Sequence, residues 1–315
     1  VTTALSDREI LREPEPTAER LLNHHLRKAK SWNPHDYVPW DEGRNFAALG
    51  GIDWKPGESR LSEVAQTAMI TNLLTEDNLP SYHRKISESF SLDGVWGTWV
   101  GRWTAEENRH AIVTRLSGGH PRGRSGATGA DQDGAHDRRS RETRERTTVP
   151  VFGRLCHRAG VGDQDQPPEH QRGVRGTIAE RMLQRVAADE NLHMIFYRNI
   201  SAAALDLLPN EALRAITDVV TRFQMPGLTQ PNFRRNAVLP AEHGIYDLRR
   251  HLDVLVRPVL RAWHVFERTD LTGDGERARE ELHAYLDDFE IRARRFEEQR
   301  ERAAARRAER APLAG

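Results

Sequence analysis

Two Glu-x-x-His motifs, Glu107/His110 and Glu190/His193, are the residues of this sequence whose types and spacing could do chemistry. On a helix, a separation of three places carboxylate and imidazole on one face, a turn apart. Around the first motif, Trp99, Trp103, Glu107, His110 and Thr114 follow spacings of four, four, three and four, so they share that face. Around the second, Ile178, Met182, Val186, Glu190, His193 and Tyr197 form a stripe that is apolar except at the Glu and the His. Ala65, Met69, Leu73 and Glu76 make a third stripe ending on a carboxylate. One Glu-x-x-His alone says little, because i,i+3 polar pairs are commonplace on solvated helices. Repeated on core-facing stripes it says more, because every buried charge is costly unless it is matched. Dications supply such a match. Carboxylates with imidazoles suit iron or manganese, and a Glu plus a Glu-x-x-His from each half of a helical bundle is a dinuclear metal recipe.

Long helices must hold these side chains. Residues 17–36 read as an amphipathic helix running into a loop, and 37–59, rich in Gly, Pro and Trp, as irregular structure. Leu61–Phe90, Leu92–Leu116 and Thr177–Leu207 are helical stretches, followed by shorter helices at 210–224 and 240–268. Met225-Pro226-Gly227 is a stop signal. Glu276 to Arg310 is helical by propensity and almost entirely charged. Pro80, four residues after Glu76, predicts a kink beside the third stripe. No segment alternates with period two, so the expected fold class is all-α.

Composition removes several functions. Lys+Arg and Asp+Glu both total 47, which leaves no electrostatic signature of a nucleic-acid binder. Charged residues are 30% of the chain and mean hydropathy is −0.73. No run of about 18 apolar residues exists, so no transmembrane segment is expected. Val1 to Pro14 lacks an apolar signal-peptide core. The single cysteine, Cys156, excludes an internal disulfide and a Cys-based zinc site, and a cytoplasmic setting is expected.

The words around the motifs carry a resemblance. TEDNLPSYH (75–83), RWTAEENRH (102–110) and AADENLHMIFYRN (187–199), with PHDYVPWDEGRNFAALGGIDW (34–54), resemble the soluble acyl-[acyl-carrier-protein] desaturases, especially their actinobacterial branch. The likeness covers about 17–116 and 176–300. It implies a ferritin-like di-iron helical bundle with additional flanking helices, acting as an oxidoreductase in fatty acid biosynthesis. Two Fe ions, O2 and two electrons, usually from a ferredoxin, would serve to insert a cis double bond into a fatty acyl chain on acyl carrier protein. A homodimer is also implied. Residue by residue, Glu76 resembles a terminal ligand of one iron, Glu107 a bridging ligand and His110 the nitrogen ligand of that iron. Glu190 resembles the other bridging carboxylate and His193 the second iron's histidine. Asp189 and Trp103 resemble positions behind the ligands that orient them and pass electrons. The domain organisation expected is a tail at 1–16, one helical domain at 17–310 and a tail at 311–315.

One stretch departs from this pattern. Between Ser117 and Thr148 there is no Leu, Ile, Val, Met, Phe, Tyr or Trp, and Gly, Pro and Arg remain heavy through Gly176. Such text cannot bury enough apolar area to offset its ordering entropy. The resembled family carries its sixth ligand, a glutamate, hereabouts, in a motif like FQE-LATRISHRNTG. Degenerate codons for Ala159–His170 read one base later permit QELATRISHRNT, with the glutamate straddling the codon of Gly160. The expectation is therefore that about 115–175 is a frame-shifted translation whose frame is restored near Gly176-Thr177. A genuine insertion is the competing reading. Glu169 and His170 lie in Pro-rich text and are not taken as a substitute ligand, and Cys156 receives no role. Two other functional classes stand beside the desaturase: an impaired remnant lacking the fourth-helix glutamate, and a ferritin-type iron-binding protein. Asp270–Gly275 with Glu281 approaches a calcium-loop pattern but lacks its third acid. The charged C-terminal stretch reads as a solvated helix. His24 and His25 read as surface or interface residues.

Overall fold

The computed structural model describes residues 11–38, 40, 45, 47–53, 55, 62–117, 178–223, 241–242 and 247–310. Among these residues every regular element is helical, as the periodicity predicts. In chain order they are α1 (Glu15–Lys28), α2 (Glu63–Glu76), α3 (Leu79–Ser89), α4 (Gly94–Ser117), α5 (Ile178–Leu207), α6 (Pro209–Thr221), α7 (Leu248–Arg250), α8 (Arg257–Ala262) and α9 (Asp274–Arg310). A π turn, His251–Val256, links α7 to α8, and 3-10 turns form at Pro34–Tyr37 and Ala47–Leu49.

Helix α1 begins with Pro16 and Glu15 in its first turn and ends on His25, Arg27 and Lys28, an arrangement that suits the helix dipole at both ends. Ala18, Leu21, Leu22 and His25 make its buried stripe. The single helix expected over Leu61–Phe90 is two. The chain breaks after Glu76 and restarts at Leu79, with Pro80 in the first turn of α3, where its missing N–H costs nothing. Beyond α1, Asp36 accepts from the backbone N–H of Asn33 and closes a short turn that carries Trp32 inward.

Helices α4 and α5 cross the centre, with α1 lying over both of them and α2 and α3 packed on α4. Two apolar clusters grip this pair. One joins Trp96, Trp99, Val100 and Trp103 of α4 to Phe196, Tyr197, Ile200 and Ala204 of α5, with α1 and α3 contributing Ala18, Leu21, Leu22 and Ile86. The other joins Val113 of α4 to Met182 and Val186 of α5, with Met69 and Trp32. The order of the residues shows that α4 and α5 run antiparallel. On each helix the Glu-x-x-His motif falls between the two clusters, so a polar layer is closed off at both ends. A third cluster packs α6 and α8 against the start of α9 through Leu213, Ile216, Leu260, Trp263, Ala278 and Leu282. Gly275 is required there, since a Cβ would collide with Asn210.

Candidate metal centre

The polar layer is built from α2, α4 and α5. Glu76, Glu107, His110 and Glu190 each offer a ligand atom within 4.8 Å of the others. His193 joins them through Nδ1, 3.2 Å from Glu107 Oε1 and 3.6 Å from Glu190 Oε2. His110 Nδ1 lies 3.0 Å from Glu190 Oε1 and 4.0 Å from Glu107 Oε2. Glu107, His110 and His193 are buried, and Glu76 and Glu190 half-buried. The five ligand candidates from the sequence thus meet in one layer, four as a mutually close group and His193 through Glu107 and Glu190. Nearly everything that meets there is an acceptor: three carboxylates and two imidazole nitrogens. Such a set is stable only with cations between its members, either protons on the rings or metal ions.

Outside this group the two halves repeat each other. The acid that precedes each motif glutamate meets the histidine of the opposite helix. Asp189 Oδ2 lies 3.5 Å from His110 Nε2, and Glu106 Oε2 lies 2.8 Å from His193 Nε2. Each acid also receives a donor from the N-terminal segment: Trp32 Nε1 donates to Asp189 Oδ2 at 2.7 Å, and His25 Nε2 lies 2.8 Å from Glu106 Oε2. Arginines balance both acids. Arg185 pairs with Asp189, and Arg102 with Glu106 Oε1 at 2.6 Å. Arg109 sits between them, 3.5 Å from Glu106 and 3.9 Å from Asp189, over the Trp32 ring.

These contacts set the protonation states. Burial pushes His110 down, but hydrogen bonds with Asp189 and Glu190 and the charge of Glu76 raise it to about 10. Burial opposes the charged His193 too, and Glu106, Glu107 and Glu190 raise it well above the ordinary value. Burial would raise Glu190 and Glu106, yet their histidine partners hold both below the usual carboxylate range. Asp189 is lowered in the same way by His110 and Trp32. Without metal, these contacts favour the cationic form of both rings and the anionic form of Glu106, Asp189 and Glu190.

His25 corrects a sequence reading. Expected at the surface or an interface, it is about 1% exposed and packs edge-on against Trp99, because it continues the Ala18–Leu22 stripe. That stripe was the signal that could have found it. Trp32 lies where the sequence predicts a loop, and no local pattern marks it. Trp103 is fully buried one turn from the centre, its ring 6.5 Å from Tyr197, while the tryptophan bonded to Asp189 is Trp32. The acids of the calcium-like loop are engaged by arginines: Asp270 by Arg268, Asp274 by Arg277 and Glu281 by Arg214. The stretch about 118–177, which holds Gly160, Cys156, Glu169 and His170, lies outside the described residues, as do 1–10 and 311–315.

The fatty acid desaturase family model matches residues 6–116 and 169–312. DesA1 of Mycobacterium tuberculosis, named as an acyl-[acyl-carrier-protein] desaturase, is 42% identical over 98% of this chain and 93% of its own. The chloroplastic acyl-[acyl-carrier-protein] desaturase 4 of Oryza sativa subsp. japonica is 29% identical over 88% of this chain and 71% of its own. Among solved structures, that of DesA2 from Mycobacterium tuberculosis H37Rv matches with a TM-score of 0.62 and 27% identity, over 81% of this chain and 94% of that one.

Proposed function

Because this chain belongs to the fatty acid desaturase family, with the all-α, ferritin-like fold of its structural relative, we propose that it desaturates fatty acyl chains on acyl carrier protein through a di-iron centre. Glu76, Glu107, His110, Glu190 and His193 would hold the two irons. The observation that carries the reading is the convergence of both Nδ1 atoms on Glu107 and Glu190, with Glu76 beside them, in a layer between apolar clusters. Iron bound there would supply, with O2, two electrons from a ferredoxin-type donor and two protons, the oxidising power to remove two hydrogens from adjacent methylenes, leaving a cis double bond and two waters.

The protein's own residues do the rest. Glu106 and Asp189 accept from the two Nε2 atoms and thereby direct both Nδ1 lone pairs inward. Arg102, Arg109 and Arg185 neutralise these outer acids, so the centre does not have to. Trp99 and Phe196 stack at 3.5 Å on one side, and Val113 and Met182 pack on the other, which excludes water from the oxidising site. A homodimer is the proposed assembly.

The test is anaerobic titration with Fe2+, followed by turnover with stearoyl-acyl carrier protein, reduced ferredoxin and O2, the product being analysed by mass spectrometry. Iron uptake and a singly unsaturated acyl product support the reading. Protein that takes up no iron sinks it. Iron uptake without desaturation favours the impaired remnant, a reading that the sequence between Ser117 and Gly176 supports, since no fourth-helix glutamate motif is legible in that frame.

A further inference from the structure

We propose that His25 is a positioning residue of the metal centre: its Nε2–H holds Glu106 as the acceptor for His193 Nε2 and so keeps His193 Nδ1 aimed at Glu107 and Glu190. The inference rests on the metal-centre reading above and concerns a residue of α1 that lies outside the ligand set.

A single oxygen, Glu106 Oε2, lies 2.8 Å from both His25 Nε2 and His193 Nε2. An ionised carboxylate only accepts, so each Nε2 must carry hydrogen. A neutral His193 with hydrogen on Nε2 has its lone pair on Nδ1, the nitrogen 3.2 Å from Glu107. His25, Glu106 and His193 could themselves be taken for a metal triad, since their polar atoms fall within 4.8 Å of one another. The charges argue otherwise. Arg102 at 2.6 Å and Arg109 at 3.5 Å already neutralise the other oxygen of Glu106, so a dication here would be repelled. Glu106 is an acceptor fixed by cations on one oxygen and by two imidazoles on the other.

His25 is built for this contact. Its ring is held edge-on by Trp99 at 5.2 Å and stacked on His193 at 5.7 Å. Among the described residues its Nδ1 has no hydrogen-bond partner, which leaves Nε2 as the polar anchor. Trp32 occupies the equivalent place in the other half, donating to Asp189 behind His110. Partners behind metal-bound histidines typically change metal affinity by about 10- to 100-fold.

The test uses the full chain with His25→Phe, which keeps a ring and removes the donor, and His25→Gln, which keeps a donor. Anaerobic Co2+ titration, read by visible absorption, reports affinity and ligand geometry together. The expected result is a His25→Phe affinity about 10- to 100-fold weaker with an altered cobalt spectrum, and His25→Gln restored to within a few-fold. His25→Phe binding as tightly as the unsubstituted protein overturns the proposal, as does a folded His25→Gln as weak as His25→Phe. Should His25→Phe not fold, nitrogen NMR of the unsubstituted, Zn2+-loaded protein decides. Hydrogen on Nε2 of both His25 and His193 supports the proposal, and an Nε2 without hydrogen on either overturns it. Unsubstituted protein that binds no divalent metal at all overturns the metal-centre reading, and this one with it. Tight binding with indifference to His25 overturns this one alone.

Discussion

At the scale of single residues the centre is an electrostatic exchange between protons and metal. His110 is raised from its ordinary 6.5 to about 10 by Asp189, Glu190 and Glu76, and His193 is raised as well. A raised histidine stabilises the folded chain fully below its unfolded value and loses that contribution as pH climbs through the folded value. Metal-free protein should therefore lose stability between about pH 6.5 and about pH 10, as read by urea unfolding midpoints. Glu190, Glu106 and Asp189 are depressed, so their contribution is present above the ordinary carboxylate range and is lost in acid. Metal must displace the ring protons, so Co2+ affinity should rise over the same alkaline interval in which the metal-free protein weakens. A flat affinity from pH 6.5 upward would mean the rings are neutral without metal. Asp189→Asn isolates the other half: it keeps the shape, removes the anion facing His110, and should weaken metal binding about 10- to 100-fold with little change in fold.

At the scale of elements the three apolar clusters make distinct predictions. Leu213 is fully buried in the cluster of α6, α8 and α9, away from the metal layer. Leu213→Ala should cost about 2–5 kcal/mol of stability and leave the cobalt spectrum unchanged. Val113 is equally buried but belongs to the cluster that seals the layer. Val113→Ala should cost less stability, about 1–3 kcal/mol, since a smaller side chain is lost, and it should alter the spectrum. The opposite assignment of spectral effects would show that the clusters are not the separate units the packing describes. How legible these elements are in the sequence depends on their faces. The stripes of α4 and α5 could be read directly because their carboxylates interrupt long apolar runs. The long α9 could be read as a helix from propensity, with Ala278, Leu282, Phe289 and Ala293 supplying its sparse buried face. The break between α2 and α3 was legible only as a kink, because Pro80 marks a boundary without saying whether the helix bends or restarts. The burial of His25 is legible from the stripe of Ala18, Leu21 and Leu22, but its partner is not, and neither is that of Trp32. Their partners, Glu106 and Asp189, are 81 and 157 residues away in the chain, and nothing local records such a contact.

At the scale of the whole molecule, the question is whether one chain carries a complete centre. Five ligand candidates meet among the described residues, on α2, α4 and α5. The resembled motif with a further glutamate would fall between α4 and α5, where the family match is interrupted and where large apolar residues vanish from Ser117 to Thr148. A bundle helix needs an apolar stripe, and the sequence from Ser117 to Thr148 offers no large apolar residues for one. The frame-shift reading makes a prediction that depends on nucleotides alone. Codon choice across Ala159–His170 is free at many third positions, and only particular choices spell QELATRISHRNT one base later. The gene should contain those choices, with offsetting insertions or deletions on either side, before about residue 118 and near Gly176. A gene whose shifted frame spells anything else sinks the idea outright. If the motif is present, the chain with its frame repaired should bind about two irons, the stoichiometry of the bundle recipe. If the shifted frame removes the fourth-helix glutamate, the present chain should bind iron more weakly under the same titration, because a lost anionic ligand leaves a dication less neutralised and a coordination position to water.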